Sequence, residues 1–199
     1  KVGLVICDTY FFNEKGVFKQ LYKKNKPPVG NVFSELLGEY FVSLETAVIR
    51  RTALNSLDHW FDQRFDVIEE YDLFVRLGYS WQLSYVDEVL AKWRVHGISW
   101  TWSRGELFPE ERKLMLDKLS GMIPNFEELY TEEIKQIERI CSLEEAQIEW
   151  KERNNTAARR LLEPYKTSGL KWFLAYYLTW FPYRWFQKLQ RWRGATHPT

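Results

Sequence analysis

Three carboxylates, Glu69, Glu70 and Asp72, fall within four positions of the chain. The apolar residues of stretch 68–77 recur at the spacing of one buried face of a short helix. Acids are favoured in a first helical turn by the positive end of the helix dipole, so Glu69 and Glu70 are predicted to open this helix. Adjacent carboxylates repel each other, and a partly buried one can act as a general base near neutral pH. The alternative, which these residues alone favour, is an ordinary helix start decorated with acids.

Further motifs lie on both sides of the acidic stretch. Phe61-Asp62 precedes it, and YVDEVLAKWRVHGIS at 85–99 follows it. This run resembles the second half of the catalytic domain of family 2 glycosyltransferases, which typically contain F-D-E, E-D-Y-D-L-x-x-R-L and Y-x-D-E-x-L-A-x-Y-R-x-H-x-x-S in that order. The resemblance covers roughly residues 2–102. It implies an α/β fold, namely the C-terminal half of a GT-A (Rossmann-like) domain followed by an α-helical extension.

The resemblance also implies roles for the acids. The second acid of the family's E-D pair is the usual catalytic base, and it falls on Glu70. Because Glu is one methylene longer than the common Asp, both Glu69 and Glu70 remain candidates for the base, and Asp72 is expected to orient the base or the acceptor. Asp8, which ends the first predicted strand, could approach the donor; a strand-end acid facing solvent is the alternative.

A second group of candidates surrounds His96. A departing nucleoside diphosphate develops negative charge, which a metal ion and cationic side chains can stabilise. A lone His-x-x-Ser is a weak signal by itself, but the resemblance implies that His96 contacts a divalent metal or the pyrophosphate and that Arg94 faces the diphosphate. Neutral imidazole suits Mn²⁺ better than Mg²⁺. Trp93 and Trp100 are candidates for stacking on a sugar, with core packing as the alternative.

The first residues suggest that a preceding half exists. Val2–Cys7 is predicted to be a buried strand, and family members carry nucleotide-binding βαβ units and a D-x-D metal motif ahead of this point. The sequence contains no D-x-D. We therefore expect a divalent metal, Mn²⁺ or Mg²⁺, to be shared with a D-x-D motif outside this chain, and we expect little transfer by this fragment alone.

Composition limits the class of protein. The 199 residues are 45% hydrophobic and 28% charged, which is typical of globular proteins. A net charge of +1 argues against nucleic acid as a partner. Aromatics reach 17%, which suits sugar stacking, a membrane interface or a heavy core. Cys7 and Cys141 are far apart, which favours a reducing compartment and unpaired thiols, with one long-range disulfide as the alternative.

The last part of the chain combines aromatic and basic residues. No acid follows Glu163, and the apolar run 172–181 is too short to span a bilayer. Aromatic residues mixed with Lys and Arg favour a helix lying in the membrane interface, so residues 165–195 are predicted to contact a membrane surface. The alternative is a C-terminal helix docked with its Trp residues in the core. We expect a cytoplasmic protein, peripheral at the inner face of the cell membrane.

The pattern predicts two parts: residues 1–104, the acceptor-side half of a GT-A catalytic domain, and residues 105–199, a helical extension ending in the aromatic and basic tail. The predicted elements alternate between strands and helices in the first part and are helical in the second. They are a strand at 2–8 returning at 17–22, a helix at 32–37, a strand at 40–50, a helix at 52–57, the acidic helix, strands at 81–86 and 89–95, a helix at 107–119, a long helix capped by Asn125 or Thr131, and a helix at 157–162 after a turn and N-cap at Asn154-Asn155-Thr156.

These expectations combine into one function and one alternative. The first is an inverting, hexosyltransferase-type glycosyltransferase that moves a sugar from a nucleotide-sugar donor to an acceptor hydroxyl in cell-surface or lipid-linked glycan synthesis. The alternative is a non-catalytic, truncated transferase module that binds a partner or a membrane through its C-terminal helices.

Overall fold

The computed structural model describes residues 1–96 and 104–186. The fold is mixed α/β, with 51% of the residues in helices and 18% in strands. Strand β1, Val2–Asn13, is the central strand of an open sheet. Its first half is rich in β-branched and other apolar residues, as expected of a strand covered on both faces.

The predicted hairpin is confirmed. The chain turns at Gly16, whose φ of 108° is unfavourable for any residue with a side chain, and returns as β2, Gly16–Gln20. Strands β2 and β3, Val48–Ile49, pair antiparallel with successive parts of β1 along one edge. Strand β4, Gln82–Arg94, runs parallel to β1 along the other edge.

Two predicted strands are replaced by the single strand β4. Cys7 pairs with Val86, Asp8 pairs with Val89, and the register shifts again at Thr9. The extra residues of β4 opposite this point form an irregularity of the bulge type. Asp87-Glu88, where a break between strands was predicted, therefore bulges without ending the strand.

The prediction of one strand over residues 40–50 is wrong for most of that range. A 3₁₀ turn occupies Leu44–Thr46, and only Val48–Ile49 pairs with the sheet. The hydroxyl of Thr46 donates to the Ser43 carbonyl at 2.7 Å. Such local side-chain bonds compete with a strand ladder and favour the turn.

The remaining regular elements of the described residues are helices, and the predicted acidic helix is confirmed as α3. Asn154 caps α7 as predicted, accepting from the Ala157 backbone N–H at 3.5 Å. The helices are α1 Phe33–Gly38, α2 Arg51–Leu54, α3 Glu69–Ser80, α4 Phe108–Met122, α5 Phe126–Leu129, α6 Thr131–Lys151, α7 Asn155–Leu162 and α8 Leu170–Leu178, with 3₁₀ turns at Gly105–Leu107 and Glu163–Tyr165.

Helix α3 is buried all round, although its apolar pattern predicted one buried face. Every residue from Tyr71 to Gly78 is buried. One side packs in the core with α1, where Gly78 allows a close approach: a Cβ there would lie 3.0 Å from the Leu36 side chain. The charged side contacts α4, whose Lys118 reaches it. The helix is therefore enclosed between two layers, and its charged residues must find partners inside the protein.

Two hydrophobic clusters divide the described residues. The larger cluster joins the sheet, α1 and α3 to buried residues of α4, α5 and the first half of α6, ending at Cys141. The smaller cluster surrounds Trp150 and Leu162, with α7 and α8 packed on the second half of α6. Cys7 and Cys141 are both buried free thiols. Residues 105–141 thus share a core with the sheet.

Candidate active site

Glu69 and Glu70 occupy the first turn of α3, as predicted, and both side chains are half-buried. Burial raises the pKa of Glu70 to about 7, and the like charges of Glu69 and Glu111 add to the increase, whereas a hydrogen bond from its own backbone N–H opposes it. A carboxyl with this pKa is partly ionised at neutral pH and can accept a proton there.

Two polar atoms beside Glu70 lack partners. Within residues 1–96 and 104–186, neither Oε2 of Glu69 nor the hydroxyl of Tyr40 makes a hydrogen bond, although both atoms are buried. Burial raises the pKa of Tyr40, and the charge of Glu70 raises it further, so the phenol stays a neutral donor. Buried polar atoms without partners are rare in proteins and indicate a place where a water or a ligand group binds.

Aromatic contacts position Tyr40 against α3. Its ring centroid lies 4.7 Å from that of Tyr71 and 6.4 Å from that of Phe74. The Tyr71 hydroxyl donates to the Leu37 carbonyl at 2.7 Å, which fixes the helix to the end of α1. The segment after α1 therefore holds Tyr40 where the first turn of α3 begins.

Asp8 is buried at the middle of β1, not at a solvent-facing strand end. Its Oδ1 accepts the backbone N–H groups of Thr9 and Tyr22, and its Oδ2 accepts from Gln20 at 2.7 Å. The Tyr22 hydroxyl donates to the Phe41 carbonyl at 2.6 Å, next to Tyr40. Both carboxylate oxygens of Asp8 already accept hydrogen bonds. Asp8 therefore fixes the end of β2 and Tyr22, and Tyr22 in turn contacts the segment that carries Tyr40.

Glu111 of α4 holds the backbone that leads into α3. Its buried carboxylate accepts the N–H groups of Asp66, Val67 and Ile68 at 2.9, 2.9 and 3.1 Å. These donors precede the first turn, where N–H groups lack intrahelical partners. A carboxylate there also complements the helix dipole. Glu111 thus fixes the direction in which Glu69 and Glu70 leave the core.

Asp72, unlike the half-buried Glu69 and Glu70, is fully buried, and its carboxylate contacts α4. Arg76 donates to its Oδ2 at 2.9 and 2.7 Å, and Lys118 of α4 donates to the same oxygen at 2.9 Å. The Lys118 ammonium is also 2.9 Å from Oδ1, although that contact lacks hydrogen-bond geometry. Asp72 therefore forms ion pairs with two buried cations and ties α3 to α4.

The same network includes Asp62 of the Phe61-Asp62 motif. Lys118 donates to Asp62 at 3.0 Å, and Arg64 donates to both of its oxygens. The Arg64 hydrogen bonds, followed by that of Lys118, hold the pKa of Asp62 well below its usual range. Asp62 consequently stays ionised and fastens the loop before α3 to α4.

The residues predicted to face the diphosphate lie farther along the sheet. Arg94 pairs with Phe12, four residues beyond Asp8 on β1, which corresponds to about 13 Å of strand. The Trp93 ring contacts Phe11 edge-on at 4.9 Å. Arg94 and His96 are exposed at the end of β4. Trp100 lies outside the described residues.

His96 is the residue predicted to contact a metal ion. Within the described ranges, no group of three or more His, Cys, Asp or Glu side chains, with or without His96, is arranged to hold a metal ion. The resemblance predicts D-x-D ligands outside this chain, and the described residues alone do not provide a ligand set for the metal.

A cavity of about 150 Å³ lies at the opposite end of α3, lined by His59, Arg76, Tyr79 and Ser80 among others. Ligand pockets typically have roughly 300 Å³ or more. The cavity is small and separated from Glu69 and Glu70 by the length of the helix, so we do not assign the substrate to it.

Comparison with known proteins adds no assignment: neither a protein-family model nor a curated protein matches this chain. The site is therefore defined by its chemistry. A carboxyl with a pKa near neutrality, a neighbouring carboxylate and a phenol donor surround the N-terminus of a rigidly held helix. This arrangement can remove a proton from a bound hydroxyl group while the neighbouring groups orient that hydroxyl.

Sequence reasoning missed Tyr40, Glu111 and Lys118. Tyr40 lies in a segment predicted to be a strand. Glu111 stands in the first turn of α4, where acids are ordinary. Lys118 adjoins the buried Leu119, and a single cation beside an apolar position usually extends into solvent. One feature of the sequence could have indicated the buried ion network that includes Lys118. Asp72 and Arg76 stand at i, i+4 on a helix whose other residues are largely apolar.

Proposed function

We propose that this chain is the acceptor-side half of a GT-A glycosyltransferase of the inverting, hexosyltransferase type. It would transfer a sugar from a nucleotide-sugar donor to an acceptor hydroxyl. The proposal joins the motif resemblance over roughly residues 2–102 with the chemistry at the start of α3. The observation that carries it is the half-buried Glu70, whose pKa is about 7.

Glu70 is the base in the proposed reaction. It takes the proton from the acceptor hydroxyl as that oxygen forms a bond to the anomeric carbon, and the bond from that carbon to the nucleoside diphosphate breaks on the opposite face. The electron pair leaves with the diphosphate, and the proton stays on Glu70 until solvent removes it. Glu69 and Tyr40 orient the hydroxyl through the buried atoms that lack other partners.

In this proposal Arg94, at the end of β4, contacts the diphosphate of a donor held by the predicted donor-binding half. The exposed guanidinium of Arg94 lies over the Phe12 ring at 5.3 Å, and its N–H groups can make the bidentate contacts that phosphates favour. His96 and Trp93 belong to the same proposed donor side, and the metal, Mn²⁺ or Mg²⁺, would require ligands from the D-x-D segment. Asp8 and Asp72 would act through the fold, because their oxygens already bind protein groups.

The test uses the intact protein. UDP-, GDP- and dTDP-hexoses are first screened for donor hydrolysis with Mn²⁺ or Mg²⁺. Glu70→Gln is then expected to lower transfer by about 10²- to 10⁴-fold while leaving donor binding unchanged, because a general base contributes that much. Glu69→Gln is the matched control: a smaller loss assigns the base to Glu70, and a larger loss assigns it to Glu69. Undiminished turnover in both variants would exclude the proposed mechanism.

The alternative, a non-catalytic module that binds a partner or membrane, is favoured by the apolar residues exposed on α8. This alternative predicts that the intact protein neither hydrolyses nor binds any nucleotide sugar. The acceptor class, a lipid-linked or cell-surface glycan, and a location at the cytoplasmic face of the membrane are part of the transferase proposal. Transfer to a lipid-linked acceptor in vesicles would support both.

A further inference from the structure

Helix α8 is apolar on two opposite faces, and only one of them is covered. Trp172, Ala175, Tyr176 and Leu178 pack against the smaller cluster around Trp150. A helix with apolar residues all round is normally enclosed by protein or lipid. The open half of α8 therefore calls for a partner.

The exposed residues follow a helical repeat and form one surface. Leu170, Phe173, Leu174 and Tyr177 stand at i, i+3, i+4 and i+7 on the side away from the cluster, and all are exposed. Leu170 is 73% exposed. The Phe173 and Tyr177 rings are in contact, with centroids 4.5 Å apart.

The surface continues beyond the helix. Trp180, Phe181 and Trp185 are also exposed, Trp180 by 62% and Trp185 by 63%, and the Phe181 and Trp185 rings stack at 6.4 Å. A group of large apolar side chains exposed this close together in the chain marks a site of protein or membrane interaction. We call the seven exposed residues the aromatic surface: Leu170, Phe173, Leu174, Tyr177, Trp180, Phe181 and Trp185.

The charge around the aromatic surface selects the partner. Exposed Lys171 and Arg184 flank it, and Arg159 lies over the Trp180 ring at 4.5 Å. No acid follows Glu163 in the sequence, whereas Lys188, Arg191 and Arg193 add three cations. Trp and Tyr beside Lys and Arg are the composition of interfacial helices, and each cation near an anionic leaflet strengthens binding.

We infer that the aromatic surface inserts into the interface of an anionic lipid bilayer and holds α8 parallel to the membrane plane. None of the helices within the described ranges has the length and hydropathy to cross a bilayer. The rings would enter the headgroup region while Lys171 and Arg184 contact lipid phosphates. The inference does not depend on the proposed transferase activity, because a module without catalytic activity would bind in the same way.

The experiment measures cosedimentation of the intact protein with vesicles of pure phosphatidylcholine and of phosphatidylcholine with about one third phosphatidylglycerol. We expect tighter binding to the anionic vesicles and weaker binding as salt is raised. The double variant Leu170→Glu/Phe173→Glu should bind about tenfold more weakly or worse. The control Leu129→Glu, at a residue 63% exposed on α5, should bind within about twofold of the wild type.

A second variant leaves the apolar residues intact. Lys171→Glu/Arg184→Glu should weaken the preference for anionic vesicles, because each reversal turns attraction into repulsion while the remaining cations of the segment still attract the lipid. Equal binding by the apolar double variant and the control would overturn the inference. So would equal binding to neutral and anionic vesicles, or self-association without lipid that the apolar double variant abolishes, since a second copy would then cover the surface.

Discussion

Two regions of the molecule differ in which groups they bury. One is the interface between α3 and α4, and the other is the C-terminal layer, formed by the second half of α6 with α7 and α8. Between α3 and α4, charged groups are buried and matched: Asp72 meets Arg76 and Lys118, and Glu111 meets three N–H groups. In the C-terminal layer, apolar rings remain exposed. Buried charges require exact partners and thereby fix geometry, whereas an exposed apolar face needs only a surface to cover it.

Polar contacts in the C-terminal layer show the same contrast. The Trp150 indole donates to the Phe181 carbonyl at 2.8 Å, and the Asn155 amide donates to the Thr179 carbonyl at 2.7 Å. These neutral bonds satisfy backbone acceptors at the end of α8, where carbonyls lack intrahelical partners. They attach α8 by its C-terminal end and leave its outer face open.

The largest expected effect comes from breaking the buried ion network. Arg76→Met leaves Asp72 with Lys118 alone and removes the donors to the His59 and Trp60 carbonyls. We expect the free energy of unfolding to fall by about 3–5 kcal/mol, as for other buried ion pairs that lose one partner. Chemical denaturation measures this difference.

The control for this prediction is an exposed pair. Lys135 lies 2.8 Å from Glu132 on α6, and both side chains are more than half exposed. Lys135→Met should change the stability by about 0.5 kcal/mol or less. Equal losses in the two variants would mean that the network between α3 and α4 contributes nothing special to stability.

Removing the cap on α3 is expected to have the next largest effect. Glu111→Ala deprives three N–H groups of their acceptor and should cost about 2–3 kcal/mol. Removing this negative charge should also lower the pKa of Glu70, and the pH dependence of the proposed transfer reaction in the intact protein would report that change. The neighbouring exposed residue provides the control, since Glu110→Ala removes the same charge without a buried bond. A cost no greater than that of Glu110→Ala would contradict the capping role.

Local patterns in the sequence predicted many of the helices and strands. The contacts between these elements could not be predicted, because they join residues that are far apart in the chain. The acidic first turn of α3, the hairpin at Gly16 and the Asn154 cap each depend on a few consecutive residues, and all three are found. The Glu111 cap joins residues 43 to 45 positions apart. Nothing in the spacing of α4 indicates which of its acids will face inward.

The candidate site was predictable to a similar degree. Adjacent acids at a helix start indicated a candidate base, and burial of Glu70 raises its pKa to about 7, as the proposed role requires. The neighbouring phenol could not be predicted, because Tyr40 lies in a segment predicted to be a strand and is placed by ring contacts with Tyr71 and Phe74, which are more than thirty positions away. Arg94 and His96 are placed by the long parallel strand, whose bulge at Asp87-Glu88 the alternation of residues did not reveal.

A smaller effect concerns pH. Burial raises the pKa of Glu70 from an ordinary 4.5 to about 7, so the folded protein holds the proton more tightly than the unfolded chain. Stability attributable to this group is present below about pH 4.5 and is lost as the pH rises toward 7. Glu70→Gln should therefore be more stable than the wild type at pH 8 by about 1–2 kcal/mol, after discounting for partial exposure. Denaturation at pH 4 and pH 8 checks this, and an equal difference at both would contradict the raised pKa.

The smallest effect on stability is expected at the aromatic surface, where Leu170 is exposed, whereas Leu162 in the adjoining cluster is buried. Leu170→Glu should change the free energy of unfolding by about 0.5 kcal/mol or less, because an exposed leucine loses no protein contacts. Leu162 in the adjoining cluster is buried, and Leu162→Ala should cost about 2–4 kcal/mol. Denaturation without lipid compares the two variants. A large loss in Leu170→Glu would show that protein already covers this face, and the contrast between the two regions would then vanish.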